Sequence, residues 1–225
     1  IIYTIIMFDH IFIIHRKEDK IRYNNVLNLI LFLSDLTTNP IEIVEPEPIQ
    51  DEYQSLICFW NKKVENRKAV ISLYNTTIKL YERIIENKLD KVLILEDDAE
   101  LTDEAIELDQ GCLIHFLNTR NWLDRNVSCL ANYYPHHYNT RTLLYVLKKY
   151  REKKKDKHRP IDIELDYAKN LFLLDFKYSN FFKHSTEFKS TLGNSQVLDL
   201  EGNYKTIIQK PKKKPILIKN NPIIK

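Results

Sequence analysis

The chain has 225 residues, of which 44% are hydrophobic and 29% are charged, and this composition is typical of one sizeable globular domain. Its formal net charge is only +3, so the sequence gives no reason to expect nucleic acid as the main partner. Only three glycines occur, so neither a Gly-x-Gly-x-x-Gly turn nor a Walker loop can be assembled, which excludes the usual Rossmann dehydrogenases and P-loop NTPases.

The start of the chain and the cysteines bear on the compartment. Residues 1–14 are apolar but are interrupted by Asp9 and His10, and the stretch is too short and too polar to span a bilayer. It has no basic leader and no small-residue cleavage site. The three cysteines are widely spaced and form no Cys-x-x-Cys pair, a pattern typical of buried reduced thiols. We therefore expect a cytoplasmic protein with no transmembrane segment.

Hydrophobic periodicity predicts strands alternating with helices. In chain order we predict a strand at 11–14, a helix over about 19–34, a strand at 41–44, a helix over about 66–87 and a strand from Val92 that ends at three acids. Further along we expect a short helix beginning near Thr102, a strand at 127–130 and a helix at 140–151. The basic run at 148–159 is typical of a solvated helix end. This order predicts an α/β sandwich with a mainly parallel central sheet flanked by helices.

The domain is expected to occupy residues 1–208. From residue 209 onward lysine and proline alternate with short apolar pairs, which favours a loosely packed tail over residues 209–225.

The most informative stretch is Lys91 to Asp98, an apolar segment that ends in three consecutive carboxylates. Ligands of open α/β sheets gather just beyond the carboxyl ends of such strands. Because strand side chains alternate, Glu96 and Asp98 are expected on one side and Asp97 on the other. Paired carboxylates suit Mg²⁺ or Mn²⁺, which also bind the phosphates of a nucleotide. The alternative is a solvated acidic turn.

Several segments resemble glycosyltransferase family 25 in the right order. The stretch IFIIHRKEDKIR at residues 11–22 resembles the opening of that family, and the helix that leads into LDKVLILEDDAEL resembles its strand capped by Glu-Asp-Asp. The segment from Arg159 to Asp162, with Leu165 and Asp166, resembles its Pro-x-Asp segment, and residues 188–193 resemble its closing serine-containing stretch. The family is similar to lipopolysaccharide sugar transferases and procollagen galactosyltransferases, some of them encoded by large DNA viruses.

The resemblance implies a GT-A fold and an inverting transfer assisted by Mn²⁺ or Mg²⁺. The donor would be a nucleotide-sugar such as a UDP-hexose, and the acceptor a glycan or protein hydroxyl, in the cytoplasm of a virus-infected host if the chain is viral. Arg16, Asp19 and Arg22 would lie near the nucleotide only on the basis of this resemblance. Asp97 would face the ribose or support a backbone turn.

Sugar transfer needs a cation for the departing diphosphate and a base for the acceptor hydroxyl. Glu96 and Asp98 are the expected metal ligands, and His184 is placed to reach the metal or the diphosphate. Asp162 and Asp166 are the candidates for the base and share a face if their segment is helical, with Glu164 turned away. Alternatively these acids only complement the dipole at a helix start beside Pro160.

Two other interpretations of the histidines and of the whole chain remain open. His136 and His137 are more typical of loop residues than of a metal site, because no partner follows at regular spacing. The chain as a whole would also suit a catalytically inactive glycosyltransferase relative that acts as a binding or structural subunit.

Overall fold

The protein is an α/β sandwich, seen in a computed structural model that describes residues 7–48, 64–104, 107–118, 130–153 and 160–185. Its strands are β1 (His10–Ile14), β2 (Ile41–Val44), β3 (Val92–Glu96), β4 (Ala99–Leu101), β5 (Ile114–Phe116), β6 (Ala131–Tyr134), β7 (Phe176–Tyr178) and β8 (Phe182–His184). Its helices are α1 (Lys20–Leu33), α2 (Val64–Asn87), α3 (His137–Lys153) and α4 (Ile161–Phe172), with a 3₁₀ turn at Ser34–Leu36.

The central sheet has six strands in the order β2-β1-β3-β6-β5-β7. Strand β1 runs parallel to β2 and β3, and β5 runs parallel to β7. Strand β6 is antiparallel to both β3 and β5, so it is the reversed strand within the described part of the sheet. The prediction of a mainly parallel sheet flanked by helices is thus confirmed, and the carboxyl ends of β1, β3 and β5 meet at one edge.

The core lies on both faces of this sheet because its central strands are apolar on both sides. On one face, α1 places Val26, Leu29 and Leu33 against Ile13 and Leu95. On the other face, side chains of α2, α3 and α4 pack against the alternate strand residues, among them Tyr81, Leu147 and Leu165. The small β4–β8 ribbon lies on the α1 side, where Ala99 and Phe182 join the same core as the helix.

Most predicted elements are confirmed within a few residues, but two predictions are wrong. No helix follows Thr102 in the described residues: its hydroxyl donates to the carbonyl of Asn180 at 2.7 Å and its N–H donates to that of Phe181, so the chain is tied to the β8 segment instead. The strand predicted at 127–130 lies later, at Ala131–Tyr134, with 127–129 outside the described residues.

Other predictions fall outside the described residues or concern membranes. Three predicted segments are not among the described residues: the closing stretch at 188–193, the tail at 209–225 and the second half of the basic run, 154–159. The domain boundary at 208 therefore stays a prediction. None of the described helices has both the length and the apolar composition that a membrane crossing requires.

Candidate functional site at the carboxyl edge of the sheet

The acidic turn that follows β3 is fixed by the backbone on both sides. Glu96 is the last residue of β3, and the chain turns through Asp97 and Asp98 before β4 begins at Ala99. The amide of Asn25, on α1, donates to the carbonyls of Asp97 and Ala99 at 2.8 and 2.9 Å. These two bonds hold the turn against α1, so the acids project from a rigid element of the fold.

Arg22 is a buried cation that joins two of the acids. It lies on the inner face of α1 with only 5% of its surface exposed, and its Nη1 is 2.6 Å from Asp97 Oδ1 and 3.5 Å from Asp98 Oδ2. Burial alone would lower the pKa of Arg22, but the charges of Asp97 and Asp98 raise it above its ordinary value. The guanidinium is therefore a permanent positive charge beneath the acidic turn.

His15 completes the surroundings of Asp97. It directly follows β1 and is only 3% exposed, and its Nδ1 lies 2.9 Å from Asp97 Oδ2. The ring of Tyr23, on the first turn of α1, lies 5.7 Å from the imidazole, centre to centre. Asp97 thus has one oxygen on Arg22 and the other on His15, so it links the acidic turn to α1 and to the end of β1.

Asp98 faces His184 across the β4–β8 ribbon. His184 Nδ1 lies 3.6 Å from Asp98 Oδ2, and the N–H of Ser185 donates to the carbonyl of Asp98 at 2.8 Å. Burial by itself raises the pKa of Asp98, but the close approach of His184 and the charge of Arg22 together hold it below the ordinary value. Asp98 is therefore an ionised carboxylate at neutral pH.

The pKa of Glu96 is shifted in the opposite direction to that of Asp98. Burial raises its pKa well above the ordinary value, and the negative charges of Asp98, Asp97 and Asp162 raise it further. Asp162 belongs to the first turn of α4 and is close enough for its charge to act on Glu96, although more than sixty positions separate them in the sequence. The fold therefore brings the two predicted acidic segments to one place.

The remaining predicted site residues lie differently. Asp166 shares the helix with Asp162, but its charge acts on Tyr178 at the end of β7. Asp19 caps α1, where its carboxylate accepts the N–H of Arg22 at 3.2 Å. Arg16 is exposed in the turn between β1 and α1. His137, expected in a loop, is instead the first residue of α3, and its Nδ1 lies 2.9 Å from Asp90 Oδ1.

Helix α4 is anchored by an ion pair between a buried glutamate and a half-buried arginine, which the sequence did not reveal. Glu164 is fully buried, and Arg151, on α3, donates to it from Nε at 3.1 Å and from Nη2 at 3.4 Å. The guanidinium also lies 4.1 Å from the ring centre of Tyr74, on α2. Burial and the charge of Glu164 raise the pKa of Tyr74, which stays protonated. Glu164 is turned away from Asp162, as predicted.

The fit of a divalent cation can be judged from the oxygen atoms. Within the described residues, no group of three or more His, Cys, Asp or Glu side chains is arranged to hold a metal ion. Mg²⁺ and Mn²⁺, however, are commonly held by one or two carboxylates, with water and substrate phosphates as the other ligands. Asp98 Oδ1 is buried and has no hydrogen-bond partner, and Glu96 lies beside it. Two carboxylates with one unpaired oxygen fit such a cation.

Sequence reasoning missed His15 and Asn25 at this site. His15 is a polar residue placed directly after a buried strand, at the same edge as the acids, and this position is the signal that could have identified it. Asn25 carried no such signal because it lies within a helix and acts on the backbone of a distant turn.

The chain was compared with protein families, curated proteins and solved structures. No family model matches the chain, and no curated protein matches it. Among solved structures, the chain is similar to the crystal structure of a glycosyltransferase involved in the glycosylation of the major capsid of PBCV-1, with 13% identity, a TM-score of 0.47, and coverage of 77% of this chain and 82% of that one. A similarity of this degree carries no argument about activity, so the function is argued from the site.

Proposed function

We propose that the protein is a glycosyltransferase that moves a hexose from a nucleotide-sugar donor, such as a UDP-hexose, to a hydroxyl of a glycan or protein acceptor. The observation that supports this most strongly is the meeting of Glu96, Asp98, His184 and Asp162 at the carboxyl edge of the sheet. This edge is where open α/β sheets bind their ligands. Membership of glycosyltransferase family 25 and a cytoplasmic location are parts of the proposal that rest on the sequence.

The donor side of the site is formed by the acidic turn. Glu96 and Asp98 would hold Mn²⁺ or Mg²⁺, and the cation, when bound, neutralises the charge that develops on the departing diphosphate. His184 lies beside Asp98 on β8, and in this proposal it would donate a hydrogen bond to a phosphate oxygen or join the metal ligands. Arg22 fixes the turn from below, so its charge lies near the diphosphate without being the first contact.

The acceptor side is assigned to α4. In an inverting transfer the acceptor oxygen bonds to the anomeric carbon, the bond from that carbon to the diphosphate breaks, and the hydroxyl proton passes to a base. Asp162 is the proposed base because it lies at the start of α4, close enough to act on Glu96. Asp166, one turn further along the helix, is the second candidate.

The test of this function is metal-dependent donor binding by the Asp98→Asn variant. Calorimetry with UDP-glucose and Mn²⁺ should show binding by the wild-type protein and its loss in the variant, with melting temperatures measured to confirm that the variant is folded at the temperature of the titration. Asp35→Asn is the matched control, since Asp35 is an exposed acid on the 3₁₀ turn after α1. Undiminished metal-dependent binding by Asp98→Asn would refute the metal assignment.

A second function is favoured by the ion pairs of the acidic turn. Arg22 already faces Asp97 and Asp98, so a protein cation provides part of the charge that a metal would provide. This arrangement suits a catalytically inactive relative that binds a glycan or nucleotide as a subunit. Slow hydrolysis of UDP-glucose in the absence of acceptor would identify the enzyme, whereas donor binding with neither hydrolysis nor transfer would identify the binding subunit.

A further inference from the structure

Three buried acceptor atoms lack hydrogen-bond partners, and all three lie at the carboxyl edge of the sheet. Within the described residues these atoms are Nε2 of His15, Oδ1 of Asp98 and Oδ1 of Asn118. His15 follows β1, Asp98 follows β3 and Asn118 follows β5. A buried polar atom without a partner costs about 1–3 kcal/mol, so such atoms are rare away from sites where something else binds them. Their common position indicates a binding region for a ligand rich in hydrogen-bond donors.

The chemistry of His15 is fixed by Asp97. The Asp97 carboxylate accepts a hydrogen bond from Nδ1 over 2.9 Å, which places the ring hydrogen on that nitrogen. In the neutral ring, Nε2 then carries a lone pair and acts as an acceptor.

The partner of Nε2 must therefore be a donor, and it must enter the buried edge of the sheet. We propose that His15 is a ligand-binding residue that accepts, through Nε2, a hydrogen bond from a hydroxyl of the nucleotide-sugar. This inference rests on the proposed function and adds a residue to it. The hydroxyl belongs to either the ribose or the hexose, which share the chemistry that Nε2 recognises.

The surroundings of the imidazole provide a path for such a ligand. Only 3% of the His15 surface is exposed. A hydroxyl can therefore reach the imidazole only when a neighbouring side chain moves aside. Tyr23 packs 5.7 Å from the imidazole and is 44% exposed, and aromatic side chains on a helix surface reorient rapidly. Its ring can then also cover one face of the bound sugar.

Two substitutions separate this role from a purely structural one. In His15→Asn, the side-chain amide nitrogen takes the place of Nδ1 and keeps the bond to Asp97, but nothing replaces Nε2. In His15→Gln, the longer side chain carries an acceptor oxygen near the place of Nε2. A histidine that only holds Asp97 is replaced well by asparagine, whereas a histidine that binds ligand is replaced better by glutamine.

The experiment measures calorimetric binding of UDP and of UDP-glucose, each with Mn²⁺, by the wild-type protein, by both variants and by His15→Ala, which has neither ring nitrogen. Melting temperatures are the control for folding. We expect His15→Asn to melt like the wild type and to bind UDP-glucose about 5-fold more weakly, as loss of one neutral hydrogen bond implies. Equal weakening for UDP assigns the hydroxyl to the ribose, and weakening for UDP-glucose alone assigns it to the hexose.

Binding by His15→Asn within a factor of about two of the wild type, at unchanged melting temperature, overturns the inference while leaving the proposed function intact. If His15→Asn does not fold, the decision passes to His15→Gln, where wild-type affinity supports the inference and a loss as large as that of His15→Ala overturns it. Failure of the wild-type protein to bind either nucleotide refutes the proposed function and this inference together.

Discussion

Replacing Arg22 with methionine should strongly destabilise the protein. The guanidinium is 5% exposed and lies 2.6 Å from Asp97 and 3.5 Å from Asp98, and both acids are themselves buried. Methionine fills a similar volume but leaves two carboxylates without their cation, beside Glu96. Removing one partner of a buried ion pair costs about 3–5 kcal/mol. In a chain of this length, about 1 kcal/mol corresponds to about 2–4 °C in melting temperature, so we expect a decrease of about 10 °C.

The assay is urea denaturation followed by circular dichroism, together with a thermal melt. Arg16→Met is the matched control, because Arg16 is the same residue type, six positions earlier and exposed. It should change the free energy of unfolding by less than about 0.5 kcal/mol, as surface substitutions usually do. A loss in Arg22→Met no larger than that of the control would refute the reasoning, because it would mean that the buried acids do not depend on this cation.

A double-mutant cycle tests whether the loss of stability in Arg22→Met comes from the ion pair with Asp97. Asp97→Asn removes one of the two charges that Arg22 faces, so adding it to Arg22→Met should recover part of the lost stability. We expect an interaction energy of about 1–3 kcal/mol between the two positions, the usual range for residues that share a hydrogen-bonded ion pair. Additive effects would show that the two side chains act independently, contrary to their separation of 2.6 Å.

Two further predictions concern the base and a buried thiol. Asp162→Asn should lower the rate of hexose transfer about 10²–10⁴-fold with donor affinity unchanged, and Asp166→Asn should lower the rate less. Transfer assays measure the rates and calorimetry measures the donor affinity. Unchanged rates in both variants would mean that the base is another residue. Burial, together with the charges of Asp109 and Asp175, raises the pKa of Cys112 to about 12. Its peptide should therefore remain unmodified by iodoacetamide at about pH 8 in the folded protein and become modified in urea, and modification of the folded protein would contradict its burial.

The sequence predicted the elements whose patterns are long and regular. The first strand, α2 and the acidic turn after β3 each combine several apolar residues with a clear boundary, so their positions follow from periodicity and charge. Strands β5, β7 and β8 have three residues each, too few to show an alternation. Strand β6 was placed too early because its residues, including Asn132, are all buried and do not alternate between apolar and polar.

The apolar stripes of α1 and α4 each contain a charged residue that indicates an ion pair. On α1 the buried positions are 22, 26, 29 and 33, a helical stripe in which Arg22 occupies the place of an apolar residue. On α4, Glu164 lies among the buried residues Ile161, Leu165 and Ala168 in the same way. A charged residue in register with an apolar stripe predicts a buried partner of opposite charge. Neither partner was predictable, because Asp97 and Arg151 come from other elements and meet these residues only through the fold.

These two ion pairs, each with a buried carboxylate, together position the candidate site. Arg22 fixes the acidic turn to α1, and the pair of Arg151 with Glu164 fixes the first turn of α4, two residues from Asp162. A well-packed apolar pair would stabilise the fold at least as well as a buried ion pair, so stability alone does not account for them. Hydrogen bonds between guanidinium and carboxylate are directional, so they fix the rotation of each helix about its own axis. Asp162 and Glu96 are thereby held to one arrangement, which a site for group transfer requires.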